Sequence, residues 1–416
     1  MMNEKPVKRR GTPDFQLLIL TFLLVGFGVL MVFSASSSLT GASSKFGNDP
    51  YYFLKKQAMW AVVGTLFMFV AMNLPLKSYK KLFKPLFLVT VLLLIAVLFT
   101  KGLNGASSWL QIVGLGIQPT ELAKIASILY LAALITKKGE RFRDLKTGYV
   151  PVTVIVGFIA GLIMLQPDFG SCFILVATCG LVIYAGGAST KHMLVTMLIL
   201  IVTAALMFGV GSLFGSSSSS SSVGDQAEKN YKMGRIEAFL NPSADKQNTS
   251  YNLYQSLMGI GEGGITGSGF GQGIIKLHYL PNPYNDFIFS VIGEEFGLIG
   301  TGLFLLLYLY FIWRGMLIAL RCPDPFGTLV GTGVMGLIAI QAFINIGGVT
   351  KTIPLTGVTL PFISYGGSSL LAMMLSMGIM LSISRESKLE ETKETTKSVR
   401  VRRPTELEAR RSARFR

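Results

Sequence analysis

Apolar residues along this chain come in runs of about twenty, separated by short polar joints. A hydrocarbon layer of about 30 Å takes roughly twenty helical residues to cross, so such runs read as transmembrane helices. Ten candidate spans follow: 15–38, 57–74, 83–100, 119–136, 149–166, 169–187, 192–213, 286–313, 327–347 and 359–383. The fifth and sixth are parted only by Gln166-Pro167-Asp168. The first run lacks a small-residue cleavage site after a short apolar stretch, which predicts a retained helix and not a removed signal. The expected fold is an all-α polytopic membrane protein with ten transmembrane helices and a large external loop between spans 7 and 8.

Composition supports this picture. Of 416 residues, 50% are hydrophobic and only 14% charged, and the mean hydropathy is +0.54. An ordinary soluble globular protein is excluded. Ten spans place both termini on one face, and the loops and arms of that face hold most of the 38 Lys and Arg, so both termini are expected to be cytoplasmic. The net charge of +16 then reflects topology and attraction to anionic membrane lipids, and implies no nucleic acid. Cys172 and Cys179 share one span and Cys322 falls in a cytoplasmic loop, a pattern with neither a disulfide framework nor a metal-binding spacing. With His192 and His278 the only histidines, a His-based zinc site or a Ser-His-Asp triad is not expected.

The chain divides into a basic cytoplasmic arm (1–14), spans 1–7 (15–213), an external loop (214–285), spans 8–10 (286–384) and a charged cytoplasmic tail (385–416). Arm and tail are polar and read as disordered, the tail as a segment hugging the membrane. The external loop opens with a seven-serine linker at 216–222, continues through RIEAFLNP (235–242), which suits a short interfacial helix, and reaches GIGEGGITGSGFGQG (259–273), with eight glycines in fifteen residues. The stretch GIGEGG matches GxGxxG formally, but no strand–turn–helix frame surrounds it. Two readings stay open there: a tight irregular loop that only glycine can trace, or a cradle of backbone amides for a phosphate.

Acidic residues stand where the pattern should forbid them. A carboxylate in hydrocarbon costs at least ~2.5 kcal/mol, yet Asp286 opens the eighth span, with Glu294 and Glu295 inside it. Glu121 opens the fourth span after Gln118-Pro119-Thr120, and Asp168 lies in the turn between spans 5 and 6. All three boundary acids fall at the external edge. Lys124 lies three residues past Glu121, on the same helical face and one turn deeper. Helix-start acids favoured by the macrodipole and an i,i+3 ion pair would account for Asp168 and for Glu121 with Lys124. Asp286 follows Pro281, Pro283 and Asn285 in a stiff turn, and a carboxylate at a low-dielectric boundary suits a general base. Glu294 falls nearer the Asp286 face of an ideal helix and Glu295 nearly opposite, and both read first as interhelical hydrogen-bond anchors.

A second wall is predicted by GGVTKTIPLTGVTLPFISYGGSS (347–369), where Pro354, Pro361 and glycines break the helical pattern at membrane depth. Backbone freed there must face protein or a water-filled cavity. Lys351, Thr356, Thr359, Ser364 and Tyr365 supply its polar groups. The sum is an externally opening cavity fit for a polar head group on a lipid tail.

PLTGVTLPFISYGGSS (354–369), IQPTELAK (117–124), QPDFG (166–170) and LPNPYNDFIFSVIGEE (280–295) together resemble the SEDS family of shape, elongation, division and sporulation proteins, which includes FtsW, RodA and SpoVE. The resemblance runs from about residue 12 to 385, and Thr359 in GVTLPF looks most like the FtsW and sporulation branches. It implies a glycosyltransferase that polymerises lipid II into peptidoglycan at the outer face of the membrane. It implies a class B penicillin-binding protein, a transpeptidase, and divisome membrane proteins as partners. The family's essential acid falls on Asp286, its Gln-Pro-Ser-Glu glutamate and following lysine on Glu121 and Lys124, and its Gln-Pro-Asp acid on Asp168. Asn282 stands for the usual Glu, Asn285 for the usual Thr and Thr120 for Ser, and Ser107-Ser108 lacks the Arg often found before Trp109.

On this reading Asp286 is catalytic, and Glu121, Lys124, Asp168, Lys351, Thr356, Ser364 and Tyr365 bind substrate. A divalent cation, Mg or Mn, is a candidate cofactor, with Glu121, Asp168 and Asp286 as candidate ligands. Two rivals are a lipid II flippase, which predicts polar residues continuing to the cytoplasmic side, and a non-catalytic scaffold for the transpeptidase.

Overall fold

The computed structural model describes residues 11–99, 109–112, 115–200, 249–277 and 279–388. The seven-serine linker, the 235–242 segment, most of the N-terminal arm and nearly all of the tail lie outside them.

The helices are α1 (Phe15–Gly41), α2 (Tyr52–Asn73), α3 (Leu76–Leu98), α4 (Pro119–Lys138), α5 (Val150–Met164), α6 (Phe169–Ala185), α7 (Thr190–Leu200), α8 (Thr249–Glu262), α9 (Ile288–Leu320), α10 (Pro325–Val349) and α11 (Gly367–Lys388). Eight of the described helices are long and apolar enough to cross a membrane, and α6 and α7 are shorter apolar helices. The protein is therefore all-α and polytopic, with one departure. A two-stranded antiparallel hairpin, β1 (Leu110–Ile112) with β2 (Leu115–Ile117), leads into α4.

Burial sorts the helices. The central rods are α4, α10 and α11, mostly buried, whereas α2 and α3 turn most of their surface outward. The core is apolar throughout, with Ile128, Val334, Met335 and Met377 fully buried. Glycines let backbones approach closely, as small residues do in membranes, where no hydrophobic force drives helix against helix and close packing must hold them together. A methyl on Gly378 of α11 would lie 2.5 Å from Met68 O of α2, and one on Gly28 of α1 would lie 2.2 Å from Phe362 O.

Several boundaries differ from expectation: α2 and α3 start at Tyr52 and Leu76, not at 57 and 83, and α8 forms within the segment expected to be loop. The eighth predicted span is α9, which starts at Ile288, two residues after Asp286, and runs to Leu320, not Trp313. The last helix starts at Gly367 and not at 359, because Pro361 and the turn built on Leu360 and Ser364 keep 359–366 out of helical form.

One end of the bundle is clasped by charge. Asp14 caps α1 through the Leu17 amide (3.0 Å), receives Arg314 of α9 at 2.6 Å, and donates its own amide to Ser384 of α11. The opposite end carries the site.

Candidate functional site

The site end is built around a broken helix. Gly297 of α9 has φ 61° and ψ −167°, which interrupts the backbone ladder within the bilayer span. Unpaired amides and carbonyls there cost several kcal/mol each. The glycine-rich segment supplies the missing partners. Leu298 and Ile299 donate to the carbonyls of Gly264 and Ile265 (2.9 and 3.1 Å), while Ser268 and Gly269 donate to those of Glu294 and Glu295 (2.9 and 3.0 Å). This favours the tight-loop reading of 259–273. The amides of Gly264, Gly267, Ser268, Gly269 and Gln272 are engaged within the protein and so are not offered to a phosphate. The first glycines of the stretch, Gly259 and Gly261, end α8.

Glu294 and Glu295 are anchors, as expected, but not on opposite faces toward Asp286. Asp286 precedes the helix, so no helical phase links it to them. Both carboxylates meet residues 274–276. Glu294 Oε1 accepts from the Ile274 and Ile275 amides (2.5 and 3.2 Å), and Glu295 Oε1 pairs with Lys276 Nζ at 2.6 Å.

Asp286 is half-buried in the turn that enters α9. Its carbonyl accepts from Asn345 Nδ2 at 2.7 Å, and the same amide reaches Val358 O at 2.7 Å. Asn345 thus joins the Asp286 turn to the 354–366 wall. Gln341, one turn away on α10, does the same at greater depth: its Oε1 accepts from Lys124 Nζ at 2.9 Å and its Nε2 donates to Thr359 O at 3.1 Å. Lys124 also pairs with Glu121 at 2.9 Å, with side chains only 1% and 6% exposed. Lys124 is therefore a buried cross-link between α4 and α10. Glu121 Oε2 is buried without a hydrogen-bond partner.

Asp168 caps α6, accepting the Ser171 amide at 3.0 Å, while its other oxygen accepts from Gln118 Nε2 at 3.0 Å. A methyl on Gly170 would lie 2.6 Å from Val358 Cγ2 and 3.2 Å from Thr356 O, so the start of α6 lies against the same wall. Ser364 is buried: its Oγ accepts from the Leu360 amide and its carbonyl from Gln57 of α2. Tyr365 donates its amide to Tyr284 O at 2.8 Å, and both rings pack on Phe53 at 4.7 and 4.2 Å. Burial pushes the Tyr284 phenol up to about 12, with the Tyr52 hydroxyl adding to the shift, so it is neutral at physiological pH.

The structure thus gathers Asp286, Glu121, Lys124, Asp168, Thr356, Thr359, Ser364 and Tyr365 at one end, on linked walls. Lys351 differs: it is the left-handed residue (φ 59°) that ends α10, and its ammonium takes no part in these hydrogen bonds. The three candidate metal ligands do not converge. Among the described residues no three His, Cys, Asp or Glu gather into a group able to hold a metal ion; Asp168 instead accepts from Gln118 and Ser171, and Glu121 from Lys124.

Gln341, Asn345, Gln57, Ser34 and Lys276 were not singled out from sequence. The first two carried a usable signal, two amides at i and i+4 inside an apolar span.

The fold and site define a polytopic membrane protein with polar walls assembled from broken helical segments at one bundle end. A family model described as cell cycle protein, for FtsW, RodA and SpoVE, matches residues 15–389. Stage V sporulation protein E of Bacillus subtilis is 38% identical over 91% of this chain and 99% of its own length. A probable peptidoglycan glycosyltransferase FtsW of the same organism is 39% identical over 91% and 92%. The Thermus thermophilus rod shape determining protein RodA aligns with a TM-score of 0.61 at 25% identity, over 90% of this chain and 97% of that one. A chain from a peptidoglycan synthase complex that coordinates polymerization and crosslinking reaches 0.71 at 27% identity, over 90% and 98%. The chain belongs to the FtsW/RodA/SpoVE family and is a multi-pass protein of the bacterial cytoplasmic membrane.

Proposed function

We propose that this protein is a peptidoglycan glycosyltransferase that polymerises lipid II at the outer face of the membrane, with ten transmembrane helices and both termini cytoplasmic. The observation that carries the reading is Asp286 on a turn whose carbonyl is tied through Asn345 to the opposite wall. A base must reach its proton within ~3 Å, and a fixed turn provides that reach.

In the reaction, the 4-hydroxyl of the acceptor GlcNAc attacks C1 of the donor MurNAc. The C1–oxygen bond to undecaprenyl diphosphate breaks with inversion from α to β, and the hydroxyl proton passes to the Asp286 carboxylate. The departing diphosphate needs positive charge. Lys124 is the first candidate, and Glu121 and Gln341 hold it ready beneath the wall. Thr356, Ser364, Tyr365 and Asp168 line the wall, and Lys351 stands at its rim. No step is routed through a metal ion. The relative within a peptidoglycan synthase complex supports a class B penicillin-binding protein as partner. Division is the setting we assign; Thr359 and 37–39% identity to FtsW proteins support it over elongation, the sporulation relative at 38% fits equally well, and complementation of division and sporulation mutants separates the two.

The test is polymerisation of labelled lipid II by purified protein with its transpeptidase partner. Asp286→Asn is expected to lose ~10²–10⁴ in rate while remaining folded. Wild-type rate from Asp286→Asn sinks the base assignment. Polymer from neither protein would move the reading to transport or scaffolding.

A further inference from the structure

The proposed reaction makes no use of the ion pair between Lys276 and Glu295, yet these are among the most buried charges in the molecule, 2% and 1% exposed. Lys276 Nζ lies 2.6 Å from Glu295 Oε1 and 3.0 Å from Ser34 Oγ, and Ser34 Oγ donates to the same oxygen at 2.5 Å. Three stretches of chain therefore meet at one point: α1, the turn after the glycine-rich segment, and the first half of α9. Glu294 adds the amides of Ile274 and Ile275. Two consecutive carboxylates thus grip three consecutive residues, just before the segment that carries Asp286.

Residues 279–287 form no helix or strand. Their near end is held to the grip by the Leu280 amide on Ile275 O (3.0 Å). Their far end is held by Tyr365 on Tyr284 O and by Asn345 on Asp286 O. The segment is a strap fastened at both ends, and the grip to which its near end is bonded is ionic. A buried ion pair is a poor way to gain stability, because apolar residues of similar size are often as stable or more so. What the pair supplies that apolar packing does not is directional geometry.

We infer that Lys276, Glu295 and Ser34 form a positioning lock that fixes the strap, and through it the place of Asp286, without touching substrate. The inference rests on reading Asp286 as the base. A shift of about 1 Å in a catalytic group can cost ~10²-fold in rate, so the lock acts on turnover and not on substrate affinity.

Single substitutions leave one buried charge unpaired and can unfold the protein, so the test uses Lys276→Met with Glu295→Gln together. Two readouts are taken in detergent or nanodiscs. The first is hydrogen–deuterium exchange across 279–287, with peptides of α4 and α10 as internal controls. The second is lipid II polymerisation, resolved into kcat and KM. Exchange should rise across 279–287 and not in the controls, kcat should fall ~10–100-fold, and KM should stay within about twofold. Lys276→Arg, which keeps the charge, should restore both.

Unchanged exchange overturns the lock. Raised exchange with wild-type kcat also overturns it, because the pair then orders the strap without serving the chemistry. The exchange readout does not depend on what Asp286 does. If Asp286→Asn polymerises normally while the double variant still loosens and slows, the base assignment falls and the lock stands.

Discussion

Lys124 has two candidate roles that a single substitution confounds. Its ammonium is shared between Glu121 and Gln341 and is almost wholly shielded. Lys124→Met leaves a buried carboxylate uncompensated and should destabilise the protein by about 3–5 kcal/mol. Any loss of activity would then be ambiguous. Lys124→Met with Glu121→Gln removes both charges and should recover most of that stability, measured by thermal unfolding in detergent. If the ammonium also assists departure of the diphosphate, the folded double variant remains slower by ~10²–10³. Polymerisation by the double variant at the wild-type rate would assign Lys124 to structure alone. The residues that frame this test differ in how visible they are in sequence. Asp286, Glu121, Lys124 and Asp168 stand out because a charge at a membrane edge contradicts its surroundings. Gln341 and Asn345 carry no charge, and Lys276 sits in a loop where polarity is ordinary. Their importance comes from contacts across as many as 242 positions of sequence, which no local pattern encodes.

Helices as elements were legible nearly throughout, because the hydrocarbon thickness fixes their length. What the apolar pattern did not reveal was the break inside α9. Gly297 lies in an unremarkable apolar run, and its φ of 61° has a purpose only when the glycine-rich segment lies against it. The hairpin before α4 was missed for a similar reason, since three-residue strands are too short to show alternation. The glycine-rich segment splints the break in α9, and two of its glycines separate two roles of glycine. Gly267 and Gly271 both have positive φ, 83° and 81°. A methyl on Gly267 would lie 2.3 Å from Glu295 O, whereas one on Gly271 meets nothing within 4 Å. Gly271→Ala should therefore cost only the left-handed conformation, about 1–2 kcal/mol. Gly267→Ala adds a clash with the α9 backbone, so it should unfold at a clearly lower temperature and slow polymerisation. Equal effects from the two would mean that the splint tolerates displacement, and that the glycines serve chain conformation alone.

On the scale of the whole molecule, helices clasped at one end present the site at the other. Asp14 gathers the start of α1, the late turns of α9 and the end of α11. The far ends of these same helices lead to Ser34, to the Asp286 turn and to the 359–366 wall. The clasp thus fixes the ends of helices whose other ends reach the site, with α9 interrupted between the two at Gly297. Its charge state sets when it holds. Burial alone would raise the Asp14 carboxyl, but the Arg314 hydrogen bond, the Leu17 amide and the charges of Arg314 and Lys388 outweigh it and hold the group below its ordinary 3.8. A carboxyl lowered in the folded state contributes stability that is fully present above its unfolded value. That contribution is lost as pH falls through the lowered folded value. Asp14→Asn should therefore be less stable than wild type at neutral pH, by about 1.5–3 kcal/mol for a hydrogen bond to a charged group. Unfolding temperatures of the two proteins, measured from pH 8 downward, should keep a constant separation until the pH drops below about 3.8, and should then converge. Convergence between pH 6 and 8 would show that a different group titrates at this end, and that Asp14 is not what holds the three helices together.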